Sequence, residues 1–293
     1  MDKKNLMVKG ASSQGLFGAT LGFFFGFGSV ALFGPTANLL KDLMGLSPLQ
    51  VGFLVSAPAL SGSLLRIPFA AWVDTTGGRK PFLVLLVLSV LGMVGLLSVI
   101  LTCYPDRMTS EIYPLLLILG VLCGCGIATF SVGIGQVSYW FPQKEQGTAL
   151  GSFAGYGNLA PGMFTFLLPI ALSSLGLAGS YFAWLIFLII GVVLYFKFGL
   201  NAWYFQLIEK GLSKEKALET AQRRYGQEIF PQGKLADSLI ISARCWKTWV
   251  LVFIYFTTFG GFIALTAWFP VYWKAVFNFS VFKASLFAAI FSI

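Results

Sequence analysis

The sequence predicts an all-α membrane protein with a six-helix bundle, a polar linker and the start of a second bundle. Composition is the first observation behind this prediction, since 57% of the 293 residues are hydrophobic and 11% are charged. The mean hydropathy of +0.82 lies outside the usual range of soluble domains. The second observation is seven apolar stretches, each long enough for a hydrocarbon core of about 30 Å. The third is an internal repeat that relates the first stretch to the seventh.

Predicted spans one to seven each have the length that a helix needs to cross a bilayer. The first is too long for the apolar core of a cleaved signal peptide, so we expect it to remain as the first helix. An eighth apolar run begins near Ser280 and reaches Ile293, the last residue. The predicted spans are 13–38, 49–73, 80–102, 112–140, 147–173, 178–200 and 247–273.

Basic residues are unevenly distributed over the predicted topology. With a cytoplasmic N-terminus, most of the 20 Lys and Arg residues fall on the cytoplasmic side. The positive-inside rule therefore predicts a multi-pass protein of the cytoplasmic (inner) membrane with its N-terminus in the cytoplasm. The net charge of +9 is explained by topology and does not indicate nucleic acid binding.

The residue inventory excludes several kinds of chemistry. The chain has no histidine, and its four cysteines form no C-x-x-C pair. Bis-histidine haem, histidine-ligated zinc and histidine proton relays are therefore excluded within these residues, and no metal or cofactor is expected. No paired intramembrane acids and no nucleophile elbow are present, so an enzyme is not predicted.

A polar linker is predicted between spans six and seven. Within it, "SKEKALETAQRRYG" is typical of a surface helix with Ser213 as N-cap, Gly226 as stop and an i,i+4 pair of Glu219 with Arg223. We expect this helix to be part of a solvated connector that lies along the membrane. Its predicted apolar stripe consists of Leu218, Ala221 and Tyr225. The predicted units of the chain are 1–200, 201–246 and 247–293.

The internal repeat is short and has no gaps. "GSVALFGP" from Gly28 and "GFIALTAW" from Gly261 align at an offset of 261 minus 28, or 233 residues. The same offset spans two helices and the loop between them, which indicates that span seven restarts the pattern of span one. The other matched pairs are Ala31/Ala264, Leu32/Leu265, Lys41/Lys274 and Ser47/Ser280.

Arg66 lies deep in predicted span two, eight residues before Asp74 and about 12 Å from the cytoplasmic end. A charge at this depth costs about 2.5–3.5 kcal/mol unless it faces protein or water. None of the seven predicted spans contains an Asp or Glu. Two interpretations stay open: Arg66 pairs with an acid elsewhere in the protein, or it binds an anion from solution through its fork of donors.

Predicted span five has a face of small residues that includes one amide. Gly151, Gly155, Asn158 and Gly162 follow helical spacing and share this face. Such stripes usually permit close helix packing. A buried Asn needs hydrogen-bond partners, however, and can donate to an anion held by Arg66.

Three motifs in these regions resemble the nitrate/nitrite porter family of the major facilitator superfamily. "LLRIPFAAWVDTTGGRK" resembles the second helix of that family, where an arginine binds the anion, and the loop that follows. "AGYGN" resembles its nitrate signature on helix five, and "DTTGGRK" is similar to the superfamily motif between helices two and three. The motif residues are Gly155, Gly157 and Asn158 in the signature, and Asp74, Gly78 and Arg79 in the loop.

This resemblance covers essentially the whole chain, and it implies the major facilitator fold and a set of binding residues. Arg66 is implied to bind the anion, Phe130 and Phe259 to enclose a planar ion, and the Tyr255 hydroxyl to bond it. The family has a second arginine on helix eight, which the repeat offset places at 66 plus 233, or 299. We therefore expect the sequence to be about seven and a half of twelve helices.

The implied function is a secondary transporter of nitrate, nitrite or both that works by alternating access. The absence of histidine and of intramembrane acids favours nitrate/nitrite exchange. Nitrate/proton symport and transport of another small anion, such as a carboxylate, stay open, as does a membrane sensor that signals through the linker. The expected partners are nitrate or nitrite and the lipid bilayer, and the expected carrier is monomeric.

Overall fold

The computed structural model describes residues 7–231 and 235–292, and every regular element in these ranges is helical. Shorter 3-10 segments cover Gly28–Ala31, Ser110–Ile112, Gly124–Ala128 and Gln143–Glu145, and a π-helical turn covers Phe256–Gly260. The α-helices are α1 (Ser12–Phe27), α2 (Ala37–Met44), α3 (Pro48–Leu64), α4 (Arg66–Thr76), α5 (Arg79–Cys103), α6 (Tyr113–Cys123), α7 (Thr129–Ser138), α8 (Gln146–Phe198), α9 (Trp203–Glu209), α10 (Lys214–Tyr225), α11 (Leu235–Arg244), α12 (Trp246–Tyr255), α13 (Gly261–Phe277) and α14 (Val281–Ser292).

Six helical stretches of the described chain are long and apolar enough to cross a membrane. They are Ser12–Ala31, Pro48–Thr76, Arg79–Cys103, Ser110–Ser138, Gln143–Phe198 and Trp246–Phe277. These stretches agree with the prediction of an all-α membrane protein. The shorter α14 follows them, where the sequence predicts the start of an eighth span.

The fifth stretch contains both predicted spans five and six. α8 has 53 residues, about 80 Å of helix, which is far more than one crossing needs. Gly176 divides it with φ 68° and ψ −177°, a backbone conformation that favours glycine. Phe164 before this break stacks on Trp184 after it, with 4.7 Å between ring centroids. The two halves of α8 therefore lie side by side as two membrane helices.

The first span is shorter than predicted. Helical structure ends at Ala31, and a turn through Gly34 and Pro35 separates it from α2. The prediction of a single helix over 13–38 was therefore wrong at its C-terminal end. Proline has no N–H to continue the helical ladder, and it disfavours helical conformation in the residue before it.

The second span breaks beside Arg66. Leu65 separates α3 from α4, and Arg66 is the first residue of α4. Pro68 causes this break, because it has no N–H for the Leu64 carbonyl and its ring crowds that carbonyl. The proline thus places the arginine at a discontinuity in the helix.

Helices α9 and α10 of the linker are docked on the bundle, which differs from the expected solvated connector. Trp203 donates from Nε1 to the Gly10 carbonyl oxygen at 3.0 Å and packs edge-on against Trp140 at 4.9 Å. Phe205 and Leu207 are buried in the same core as the first and fourth spans. Aromatic residues at this end of the bundle give the linker an apolar surface to pack on.

The predicted ends of the linker helix α10 are confirmed, and its predicted stripe is right at Ala221 and Tyr225 but wrong at Leu218. Ser213 accepts a hydrogen bond from the Lys216 N–H at 3.4 Å, and Gly226 ends the helix with φ 71°. The buried positions are Ala217 and Ala221, whereas Leu218 is 40% exposed. α10 packs closely on α9 through small residues, so the larger leucine points away. Glu219 and Arg223 pair at 3.1 Å as predicted.

Two residues related by the repeat offset meet in the structure. A Cβ atom built on Gly34 would lie 2.7 Å from the carbonyl oxygen of Ala267, and these positions are 233 residues apart. Contact between equivalent residues is the geometry produced by a two-fold axis that passes between them. This contact supports the repeat, which was inferred from few matching residues.

Candidate functional site

Arg66 is half-buried at the start of α4 and has unused hydrogen-bonding capacity. Its Nε donates to the Gly62 carbonyl oxygen at 3.1 Å, one turn earlier. Its Nη1 donates to the Tyr255 hydroxyl at 3.4 Å, which is long for a hydrogen bond to a hydroxyl oxygen. Its Nη2 is buried and has no partner among the described residues. The edge formed by Nη1 and Nη2 is therefore the part of the guanidinium that can bind another group.

Two phenylalanine rings lie next to each other beside the same guanidinium. The Arg66 Cζ atom lies 5.3 Å from the ring centroid of Phe130 and 5.2 Å from that of Phe259. Both distances are in the range of cation–π attraction, which partly compensates for burial of the charge. Tyr255 stacks on Phe259 at 4.9 Å, so the hydroxyl and the second ring are held together on one helical segment.

No carboxylate pairs with Arg66 in the part of the chain that the structure describes. The ion pair found there joins Arg223 to Glu219 on the surface of the linker. Asp74, at the end of α4, instead accepts a hydrogen bond from the Tyr139 hydroxyl at 2.6 Å. The interpretation of Arg66 as half of an internal ion pair has no support in these residues.

The signature residues on α8 fall on different sides of the helix. A Cβ atom built on Gly157 would lie 1.9 Å from the Phe23 ring, and Phe23 in turn lies 5.2 Å from Phe130. The close packing of Gly157 on Phe23 thus supports Phe130, the ring beside Arg66, through Phe23. A Cβ atom on Gly155 meets nothing within 4 Å, and this residue lines an open groove of about 490 Å³. The structure does not bring Gly155 together with Arg66.

Asn158 is half-buried, and its Oδ1 atom is fully buried without a hydrogen-bond partner among the described residues. A buried amide oxygen in this state costs free energy, because it has lost water and gained nothing in exchange. Asn158 remains a predicted binding residue, since the structure gives no contact between it and Arg66.

The loop motif forms a separate polar cluster at the end of the second span. The Arg79 N–H donates to Asn201 Oδ1 at 2.9 Å, and Arg79 Nη2 donates to the Phe196 carbonyl oxygen at 2.8 Å. A Cβ atom built on Gly78 would lie 2.5 Å from Gln136. These contacts fix the loop against the fourth and sixth spans and away from Arg66.

Sequence reasoning missed several residues that contact the Arg66 site or the loop motif. Phe27 stacks on Phe259 at 6.2 Å, and Phe23 supports Phe130. Asn201 and Gln136 hold the loop motif, although neither belongs to it. A phenylalanine-rich first span is visible in the sequence, but nothing in the sequence distinguishes these two rings from their neighbours.

Comparison with known proteins establishes the family. The family model described as Major Facilitator Superfamily matches residues 19–293. The chain belongs to the major facilitator superfamily. It is therefore a multi-pass membrane protein of a transporter family and not of an enzyme family, as the sequence predicted. Its membrane compartment and the side of its N-terminus stay predictions.

Relatives of this superfamily chain include named nitrate and nitrite transporters. "Probable nitrate/nitrite antiporter NarK1" of Thermus thermophilus is 28% identical over 93% of this chain and 56% of its own length. "Nitrate/nitrite transporter NarU" of Escherichia coli is 25% identical over 83% of this chain and 49% of its own. "Nitrite extrusion protein" of Bacillus subtilis is 26% identical over 77% and 48%. The chain spans about half the length of the curated relatives it matches.

A solved structure agrees with the major facilitator fold. The crystal structure of a D-xylose-proton symporter matches with a TM-score of 0.56 over 95% of this chain and 65% of its own. The identity of 16% makes this a likeness of fold alone. The predicted major facilitator fold is thus confirmed.

Proposed function

We propose that this chain contains an anion-binding site of a secondary transporter for nitrate, nitrite or both. The observation that carries the proposal is the buried Nη2 of Arg66, which has no partner among the described residues although Phe130, Phe259 and Tyr255 lie beside the guanidinium. A half-buried guanidinium with no acid beside it and one unpartnered donor can be completed by an anion. The relatives named for nitrate and nitrite support the choice of that anion.

The free edge of Arg66 suits an oxyanion with two coplanar oxygens. Since Gly62 occupies Nε, the remaining fork is Nη1 and Nη2, which can donate two parallel hydrogen bonds to one anion. Tyr255 contacts Nη1 at 3.4 Å, so an arriving oxygen can take the position in front of Nη1 and accept from the tyrosine hydroxyl as well. Nitrate and nitrite both have two oxygens that fit this fork.

The two rings select for flat ions. The Phe130 and Phe259 centroids are 5.1 Å apart, with 21° between the ring planes. A planar ion between two rings needs a separation of about 7 Å, because each contact takes about 3.5 Å. Binding between the rings therefore requires them to part by about 2 Å. A tetrahedral anion such as sulfate needs a wider opening and should bind less well.

Direct binding tests the proposal. Isothermal titration of the purified 293-residue chain should detect nitrate and nitrite, and sulfate should not compete. Arg66→Lys loses the fork and should weaken nitrate binding about ten- to hundredfold. The exposed Arg107, in a loop, offers a matched control, and Arg107→Lys should bind like wild type. Helical circular dichroism checks that each variant is folded.

Two results would contradict the proposal. Nitrate binding by the folded Arg66→Lys variant at the wild-type affinity would show that the arginine is not the ligand. Oxalate binding that is tighter than nitrate binding, and lost in the same variant, would favour a carboxylate carrier.

We further propose exchange of nitrate for nitrite as the mode of transport. No carboxylate contacts Arg66 in the described residues, and the sequence has no histidine, so this part of the site offers no ordinary proton carrier. In liposomes, the protein should take up labelled nitrate when nitrite is inside, with or without a pH gradient. Uptake that needs a pH gradient and no internal nitrite would support proton symport.

A further inference from the structure

A basic cavity lies away from Arg66, between the start of α1 and the end of α8. Its volume is about 440 Å³, and Lys9, Ser13, Gln14 and Lys197 provide its polar lining. Phe17 and Phe198 provide aromatic surface and pack edge-on against each other at 5.7 Å. The cavity combines two cations with no acidic residue among those that line it.

The donors of this cavity are largely unused. Neither Lys9 nor Lys197 forms an ion pair within the described residues, and the Lys197 Nζ atom lies 5.3 Å from the Phe198 ring centroid. The cap residue of α1 is Ala11, whose side chain cannot accept from the first-turn N–H groups. The positive end of the helix dipole therefore adds to the charge of the two lysines.

Apolar cavities continue from this basic cavity along α1. A cavity of about 510 Å³ shares Ser13 and Phe17 with it and follows α1 through Leu21 to Phe24. A third, of about 210 Å³, begins at Phe24 and is lined by Phe164 and other apolar residues. From Ser13 to Phe24 the helix rises about 16 Å, close to the thickness of one leaflet, about 15 Å.

We propose that this basic cavity and the apolar cavities below it bind one anionic glycerophospholipid. The phosphate would lie between Lys9 and Lys197 at the start of α1, and the acyl chains would follow α1 toward Phe24. Charge complementarity selects the headgroup, since two lysines without an acid favour a net negative lipid over a zwitterionic one. This inference does not depend on the anion that binds at Arg66.

Native mass spectrometry of the 293-residue chain from mixed micelles tests the proposal. With matched acyl chains, the chain should retain one phosphatidylglycerol at least fivefold more strongly than phosphatidylcholine. Lys9→Gln with Lys197→Gln should reduce phosphatidylglycerol retention about 25-fold, since each lysine near a membrane surface contributes about fivefold. The control pair Lys144→Gln with Lys216→Gln removes two exposed lysines that do not line the cavity and should change nothing.

Further variants separate the headgroup from the acyl chains and from misfolding. Thr20 lines the larger apolar cavity, so Thr20→Trp should weaken retention of both lipids. Lys9→Arg with Lys197→Arg keeps the charge and should retain phosphatidylglycerol. Nitrate affinity, measured separately, should stay within twofold in the double glutamine variant.

Three outcomes would overturn the lipid assignment. They are equal retention of the two lipids by the wild-type chain, unchanged phosphatidylglycerol retention in the folded double glutamine variant, and binding of glycerol 3-phosphate as tightly as phosphatidylglycerol. The last outcome would show that the cavity binds soluble phosphates, for which the apolar cavities are irrelevant.

Discussion

The candidate anion site has two walls that differ in how much of their side-chain surface is buried. The first wall, formed by Phe23, Phe27, Arg66 and Phe130, belongs to the six-helix bundle. Its phenylalanines are at most 9% exposed. The second wall consists of Tyr255, the last residue of α12, and Phe259 in the π-helical turn that follows. No residue of α12 is buried, and Tyr255 is 42% exposed. Within the described residues, the charge thus lies among buried side chains and the hydroxyl lies on an exposed segment.

The buried first wall is suited to hold the counter-charge of a charged ligand. A charged ligand needs its counter-charge in a fixed place, and a packed wall supplies that at no cost during binding. The rings must also part for an ion to enter between them. Phe259 lies in a π-helical turn, a local widening of the helix that is frequent at functional sites. This turn makes the second wall the one to test for movement.

The strongest test of the rigid first wall uses two glycines two residues apart. Gly157→Ala would place a methyl group 1.9 Å from the Phe23 ring, so we expect the free energy of unfolding to fall by about 1–3 kcal/mol. Gly155→Ala meets nothing within 4 Å and should leave stability unchanged or raise it by up to about 1 kcal/mol. Thermal unfolding in detergent compares them. Equal stabilities would mean that the packing behind Phe130 is loose.

The hydroxyl of the second wall should contribute less to binding than the charge of the first. Tyr255→Phe removes one hydrogen-bond partner of Arg66 and of the anion, so nitrate affinity should fall about three- to tenfold. Tyr272→Phe, on α13 and also partly exposed, is the matched control and should bind like wild type. An effect of Tyr255→Phe as large as that of Arg66→Lys would contradict the division between the walls.

Asn158 should show a trade-off between stability and binding. Its buried Oδ1 has no partner, so Asn158→Leu should raise the free energy of unfolding by about 1 kcal/mol. If the amide also donates to the anion, the same variant should bind nitrate a fewfold more weakly. Asn38→Leu, on α2, controls for the change of residue type. Higher stability with unchanged affinity would remove Asn158 from the site.

The smallest effect is expected at the end of the π-helical turn. A Cβ atom on Gly260 meets nothing within 4 Å, so Gly260→Ala should change nitrate affinity by less than twofold. If the second wall moves through this turn, the stiffer helix should slow nitrate association, as seen by stopped-flow tyrosine fluorescence. Unchanged rates in a folded variant would place the movement elsewhere.

The sequence predicted the charged part of the site better than its surroundings. Arg66 was found because a cation in an apolar span without acids stands out by residue type alone, whichever face of the helix it occupies. Gly155 and Gly157 were not distinguished, because both are small and helical spacing alone does not define which face meets Phe23. The contact of Asn201 with Arg79 joins residues 122 apart in the chain, and no local pattern indicates it.

The closed phenylalanine pair has a consequence for the candidate anion site when it is empty. The Phe130 and Phe259 ring centroids are 5.1 Å apart, so no layer of water fits between the rings. No continuous chain of water molecules can therefore conduct protons through this gap. An ion that binds there has to separate the rings itself, and the rings can stack again when it leaves. If the proposed site is correct, the empty site therefore holds no water between its two rings.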